Sequence, residues 1–428
     1  MRVVEAFSGI GSQSKALKNI KVVHDVVATI EWEMGAIFAY DIIHNGTQDL
    51  TGYEKMEKDD LVEILQNFSL SMNGKEPVTR SQLRKYPFEA LKRIHYAIDR
   101  SNNLVSIVDV EAEDLPEEID LFTYSFPCQD LSLSGAWHGN IQGIDRDANN
   151  RSSMLWEVER ILIESMEAGI DLPKYLLMEN VTNIMSKRHK DNFMEWQNFL
   201  TDNGYYNHVY RLNAENFGIP QKRNRAFMIS VWVGDTTDNP NVELREELNV
   251  YFEENNLEKY VDDDEIEIED FLKLDYTVSK YMNEAISVIP NDTMSRRKIR
   301  NENDLLYNGQ RMQNYVRTIT TKQDRHPNSG VIDLAHYDIF DIPNKARFRY
   351  LTPRECFLLM GFEDEDFDAL LDNNFQYNKG RQFYGTDKLN KLAGNSIVVN
   401  ILEKVFSQII DIDDQLFESR MGVVYEEE

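Results

Sequence analysis

Cysteine is scarce in this chain. Its 428 residues include two, Cys128 and Cys356, set 228 positions apart. Neither shows metal-ligand spacing and no histidine cluster accompanies them, so no metal site is expected. Two thiols cannot make a disulfide framework; one bridge is conceivable, but a reducing compartment fits better. Long apolar runs are missing as well. None reaches the roughly 18 residues that a membrane helix needs. The start, Met1-Arg2-Val3-Val4-Glu5, lacks the apolar core and cleavage site of a signal peptide. A cytoplasmic protein with no membrane partner is expected.

Basic charge is also in deficit. Lysine and arginine total 46 against 74 acidic residues, a net charge of −28. As an average, that disfavours a nucleic-acid partner, because DNA repels acidic surfaces. The charge is segregated, however. Residues 243–275 hold 14 acidic and 3 basic side chains, whereas residues 280–350 hold 12 basic and 8 acidic. A local basic patch inside an acidic protein can still bind phosphates, and the acidic stretch reads as a solvated helix face or loop.

The chain does have ample apolar content, 42%, and a length that suggests two domains or one with a sizeable insert. Strand and helix patterns alternate through the first half. Strands are expected at Val3–Ala6, Val22–Ile30, Leu104–Val110, Leu121–Ser125, Tyr175–Met178, Tyr206–Leu212 and Ala226–Val233. Helices are expected at Ser12–Asn19, Met34–Ile43, Ser153–Ala168 and Asn192–Thr201. A polar insert, 50–103, carries a helical pattern over Gln82–Asp99. This rhythm predicts a doubly wound, mostly parallel α/β sheet. After Val233 it stops. The expected domains are therefore 1–234, a smaller one at 235–346, and a C-terminal segment, 347–428, with helices at Thr352–Met360 and Ile397–Ile410.

Four motifs carry chemistry. Phe7-Ser8-Gly9-Ile10-Gly11 follows a strand and opens a helix, so glycine backbone and unpaired N–H groups could meet a ligand, or the turn could be an ordinary tight one. Twenty residues past Gly11 comes Glu31, then Trp32; a carboxylate there suits ribose hydroxyls. Asp109 ends the next expected strand and could face an adenine or simply cap a turn. Second, Ser125-Phe126-Pro127-Cys128-Gln129 places a thiol at a strand end before a glycine-bearing polar loop, 130–151, with the composition of a lid. A buried cysteine is more often a small hydrophobe, but this position suits a nucleophile. Third, in Met178-Glu179-Asn180-Val181 a buried strand delivers a carboxylate that could share a proton or cap the next helix. Fourth, Gln221-Lys222-Arg223-Asn224-Arg225 sets two arginines on one side of an extended segment, suited to phosphate or a base carbonyl.

Together, and in this order, these motifs resemble the DNA (cytosine-5)-methyltransferases. Arg349–Cys356 with Met360-Gly361-Phe362, and Ala393-Gly394-Asn395-Ser396-Ile397, resemble two further blocks of that family. The resemblance spans nearly the whole chain except 50–103 and 235–340; Ser8 and Ser12 are mild departures. It implies the S-adenosylmethionine-dependent methyltransferase fold with an inserted target-recognition domain. It implies a monomeric enzyme of the compact prokaryotic or phage type, in a prokaryotic cytoplasm, with double-stranded DNA as partner and a cognate restriction endonuclease as a possible one. Cys128 would attack C6 of a flipped-out cytosine, Glu179 would hold N3 and the exocyclic amine, and Arg225 would hold the base carbonyl. Phe7, Gly9, Gly11, Glu31, Trp32, Asp109, Asn395 and Ile397 would line the S-adenosylmethionine site, with Pro127 and Met154 packed near it. Gln129, Ser134 and Arg223 would touch DNA, joined by Arg296, Arg297, Lys298, Arg300, Arg317, Lys322 and Arg325 of the recognition domain. The alternatives are a tRNA cytosine-5 methyltransferase, separable by substrate competition, and a catalytically silent DNA-binding homologue, against which the intact Cys128, Glu179 and Arg225 set speaks.

Overall fold

A computed structural model of the chain describes residues 1–127, 131, 144–146, 151–234, 241–262, 266–378 and 380–417. These form two compact units. The larger comprises Met1–Leu212, Asn224–Tyr260 and Leu402–Glu428; the smaller comprises Asn213–Arg223 and Val261–Ile401. Among the described residues no helix is long and apolar enough to cross a membrane.

The larger unit is built on a six-stranded sheet. In chain order the first strands are β1 (Arg2–Ala6), β2 (Asp25–Ile30), β3 (Leu121–Tyr124), β4 (Tyr175–Val181) and β5 (Tyr205–Asn213). A short β6 (Gln221–Lys222) belongs to the smaller unit, and β7 (Asn224–Trp232) returns to the sheet. The spatial order is β2-β1-β3-β4-β7-β5. β1 runs parallel to β2 and β3, β3 runs parallel to β4, and β7 pairs antiparallel with β4 over seven consecutive residues. Strands buried on both faces read as continuous apolar runs, and Tyr175-Leu176-Leu177-Met178 is one, with every side chain buried. Helix Leu155–Ala168 covers the sheet and ends at Gly169 in the left-handed conformation that glycine adopts without strain. Trp196, from helix Lys190–Asp202, donates its indole N–H to the Tyr124 hydroxyl at 3.1 Å inside the core.

Two expected elements differ. The strand expected at Leu104–Val110 is absent: after a single bridge between Thr29 and Asn103, Val105 takes φ 67°, which a strand cannot accommodate. The single helix expected over Gln82–Asp99 is two, Arg80–Leu83 and Phe88–Arg100. Pro87 between them restricts Tyr86 and cannot donate within a helix, so the second helix starts just after it.

The smaller unit has a four-stranded sheet, β12-β11-β8-β9, of Phe348–Tyr350, Val331–Asp333, Asp304–Tyr307 and Gln310–Arg311. Asn308-Gly309, both at positive φ, turns β8 back into β9. Strand β10 (Val316–Arg317) pairs parallel with β6. Two fully buried arginines tie the unit together. Arg349 makes two 2.7 Å bonds to Glu355, and Arg354 meets Glu284, Asp364 and Asp368. The expected boundaries at 234/235 and 346/347 do not coincide with these units: 241–260 belongs with the larger one, and 347–401 with the smaller.

Candidate active site

The turn after β1 rises from a buried polar floor. Phe7, Gly9 and Gly11 all have positive φ, and Phe7 N–H donates to Ile30 O at 2.7 Å, binding the turn to the end of β2. A Cβ on Gly11 would lie 2.1 Å from His44 Nε2, so only glycine fits there. His44 itself bonds Ile10 O at 3.0 Å, and burial holds its imidazole down at about 4. Beneath the turn, Ser14 donates to Glu5 Oε1 at 2.7 Å and lies 2.8 Å from the Tyr40 hydroxyl. Glu5 is fully buried, and that burial raises its carboxyl to about 7.

Glu31 and Trp32, both half-buried, follow β2 directly. Glu31 Oε2 accepts from Gly9 N–H at 3.0 Å and Oε1 from Glu33 N–H at 2.7 Å. The carboxylate is thereby tied to the glycine turn. This set fits S-adenosylmethionine: a left-handed turn that opens helix Ser12–Asn19 with no side-chain cap, an oriented carboxylate, and a half-buried tryptophan next to it in sequence. Asp109 is exposed in a turn, its N–H donating to Ser106 O, so it does not end a strand. Met154 packs partly buried against the main core.

At the end of β3, Ser125 Oγ donates to Phe7 O at 3.4 Å, and Asn180 Nδ2 donates to Phe126 O at 3.0 Å. The chain is thus held from both sides up to the half-buried Pro127. Cys128, Gln129 and Ser134 lie outside the described residues, as does most of 130–151. Cys356, by contrast, is completely buried, and burial pushes its thiol well up, which suits a small hydrophobe and not a nucleophile.

Glu179 and Arg225 come together. Arg225 Nε lies 3.2 Å from Glu179 Oε1, with both side chains almost withdrawn from solvent, at 13% and 11% exposure respectively. Asn180, next to Glu179, holds the segment that precedes Cys128. A carboxylate, a guanidinium and the approach to a thiol therefore converge at the ends of β3, β4 and β7.

Arg223 does otherwise. Its guanidinium is buried in the smaller unit, donating to Ile319 O at 2.9 Å, Ser396 O at 2.7 Å and Gly394 O at 3.3 Å. The expectation that it meets DNA is corrected, because those carbonyls already occupy it. Asn395 is exposed at the end of helix Thr386–Asn395 and Ile397 is buried, both in the smaller unit. Among the expected DNA contacts, Arg300 is tied to Asp333 at 2.5 Å, Arg297 pairs with Asp292, and Arg325 with Asp324. Arg296 donates to Asn291 O and Arg317 to Glu302 O. Lys298 and Lys322 are exposed.

Sequence reasoning missed the Glu5–Ser14–Tyr40 floor and the bond by which Asn180 holds Phe126. Asn180 lay within a quoted motif, so its chain position was a usable signal. A glutamate inside a buried strand was the signal for Glu5.

Comparison with known proteins adds the following. A family model described as C-5 cytosine-specific DNA methylase matches residues 56–411. The type II methyltransferase M2.ScrFI of Lactococcus lactis subsp. cremoris is 31% identical over 419 residues, which are 96% of this chain and 99% of that protein. The orphan methyltransferase M.SssI of Spiroplasma monobiae is 41% identical over 234 residues, 54% of this chain; the match spans 59% of that protein. The crystal structure of S. pombe Dnmt2 methyltransferase shares the fold, with a TM-score of 0.54 and 16% identity over 96% of this chain and 98% of that one.

Proposed function

Since the chain belongs to the family of C-5 cytosine-specific DNA methylases, we propose that it methylates C5 of a flipped-out cytosine in DNA through a covalent bond from Cys128 to C6. The observation that carries this reading is the Glu179–Arg225 pair, set beside the held Phe126–Pro127 segment that leads into Cys128.

Cytosine C5 is a poor nucleophile. Addition of the Cys128 thiolate at C6 makes C5 enamine-like. Glu179 would hold N3 and the exocyclic amine and so favour that addition, while Arg225 would hold the O2 carbonyl. S-adenosylmethionine, when bound, supplies a sulfonium methyl group as the electrophile. The Phe7–Gly11 turn, Glu31 and Trp32 would seat that donor, with Pro127 and Met154 packed near it. Once C5 carries the methyl group, its proton passes to water and the Cys128 thiolate is expelled, which restores the ring. The target base must leave the helix to be reached. The smaller unit would read the DNA sequence, with Lys298 and Lys322 among its exposed cations.

The test uses DNA containing 5-fluorocytosine, in which fluorine at C5 cannot leave as a proton does. Incubation with the methyl donor, digestion and mass spectrometry should map an adduct to the peptide holding Cys128, and Cys128→Ser should form none. An adduct elsewhere, or none with the unaltered chain, overturns the reading.

A further inference from the structure

Resting on the donor-site reading above, we propose that the 50–103 insert is a brace for the methyl donor, with Asn103 as the positioning residue that holds Glu31 toward the donor's ribose.

Strand β2 ends at Ile30 and the next helix begins at Met34, so Glu31 to Glu33 lie in neither. Buried backbone N–H and C=O groups outside regular structure need partners from elsewhere. The insert supplies them. Asn103 Oδ1 accepts from Glu31 N–H at 3.0 Å, and its Nδ2 donates to Glu31 O at 3.0 Å. One side chain thus fixes both backbone groups of the residue that carries the carboxylate. Only a primary amide can both donate and accept in this way; aspartate cannot donate and leucine can do neither. Asn103 Oδ1 also accepts from Val105 N–H at 2.9 Å.

The middle of the insert grips the following residues. Ser71 N–H donates to Trp32 O at 2.7 Å, and Ser71 O accepts from Met34 N–H at 2.9 Å. Ser71 is itself buried, its hydroxyl donating to Glu76 O at 2.7 Å and accepting from Gly74 N–H at 3.0 Å. The rest of the insert anchors these two grips. Helix Phe88–Arg100 packs on helix Met34–Asn45, where Arg100 makes bonds of 2.6 and 2.7 Å to the buried Asp41. Asn102 O accepts from Thr29 N–H, and Leu104 N–H donates to Thr29 O, joining the end of the insert to β2. With its backbone pinned, Glu31 holds one carboxylate geometry, accepting from Gly9 and Glu33.

The test compares Asn103→Ala, Asn103→Asp and Glu31→Ala in the full chain. Donor KM, kcat and donor affinity by titration calorimetry are measured, with S-adenosylmethionine and with an analogue lacking the ribose 2′- and 3′-hydroxyls. Asn103→Ala should raise donor KM about tenfold, as expected where a buried polar contact is lost, with kcat at saturating donor changed less than about twofold. It should leave affinity for the analogue unchanged. Asn103→Asp keeps the acceptor bonds but sets a carboxylate oxygen against Glu31 O in place of the donor bond, so it should raise donor KM at least as much as Asn103→Ala, and circular dichroism checks that both variants fold. Unchanged donor affinity in both Asn103 variants, or equal losses for donor and analogue, overturns the brace. If Glu31→Ala leaves donor affinity unchanged, the donor-site reading itself fails. If Glu31→Ala weakens the donor and the Asn103 variants do not, the brace alone fails.

Discussion

Glu179 and Arg225 sit diagonally across the β4–β7 ladder: Glu179 pairs with Phe227, Val181 pairs with Arg225, and the two charged groups meet at 3.2 Å. Residues opposite one another in an antiparallel pair share a face, as do residues two apart in one strand. Both side chains therefore emerge on the same side by parity alone. Glu179→Gln preserves shape and removes the charge that Arg225 faces. We expect kcat to fall by at least about 100-fold, the lower end of what groups handling protons contribute, with DNA affinity little changed. Single-turnover methylation of a radiolabelled substrate measures this, and a rate near that of the unaltered chain sinks the assigned role.

The buried Glu5 gives a pH dependence of opposite sign to that of an ordinary paired carboxylate. Its folded pKa is about 7, against 4.5 for the free group. Between those values the folded state binds more protons than the unfolded one, so stability declines as pH rises from about 4.5 to about 7 and then levels off. The full effect is on the order of 3 kcal/mol. Ser14 donates to Oε1, and Oε2 has no partner among the described residues, which suits a protonated acid. Glu5→Gln should raise Tm at pH 8 and leave it nearly unchanged at pH 4.5. Equal shifts at both pH values would show that the carboxyl does not titrate in this window.

The strands that position this chemistry were legible because parallel strands buried on both faces leave near-continuous apolar runs, as Tyr175–Met178 does and Leu121–Tyr124 does but for Thr123. Glu179 and Arg225 were legible singly, as a carboxylate at a strand end and one of two arginines on one side of an extended segment, but not as a pair, since each lies one residue outside its expected strand. Parity along that extended segment misplaced Arg223. Between Arg223 and Arg225 the chain passes from the smaller unit to the larger, and no spacing rule reports that change. The run Leu104–Val110 has the composition of a strand, but Val105 leaves strand geometry at φ 67°. Asn103 was invisible for a different reason. Its partners are backbone groups 72 positions upstream, and a bond to backbone sets no pattern in the partner's side chains.

Gly9 and Gly11 both have left-handed φ but different surroundings. A Cβ on Gly9 would meet nothing nearer than Phe7 O at 4.0 Å, whereas on Gly11 it would strike His44 and Tyr40 at 2.1–2.7 Å. Gly9→Ala should cost only the backbone term, about 1–2 kcal/mol. Gly11→Ala adds overpacking, about 1–3 kcal/mol more, and should displace helix Ser12–Asn19. Thermal unfolding of the two variants separates them, and equal Tm losses would contradict the difference in packing.

Arg223 and Lys298 should part company in salt. Arg223 is buried against three carbonyls, while Lys298 is exposed on helix Met294–Asn303. Each phosphate contact adds about 0.9 to the slope of log affinity against log salt on duplex DNA. Lys298→Ala should therefore reduce the slope by about one phosphate contact and leave Tm unchanged. Arg223→Ala should leave the slope unchanged and lower stability, because three buried carbonyls lose their donor at about 1–3 kcal/mol for each group left unsatisfied. DNA binding measured from 50 to 200 mM salt, together with thermal unfolding, reads both. A reduced slope in Arg223→Ala with an unaltered Tm would return that arginine to the DNA interface.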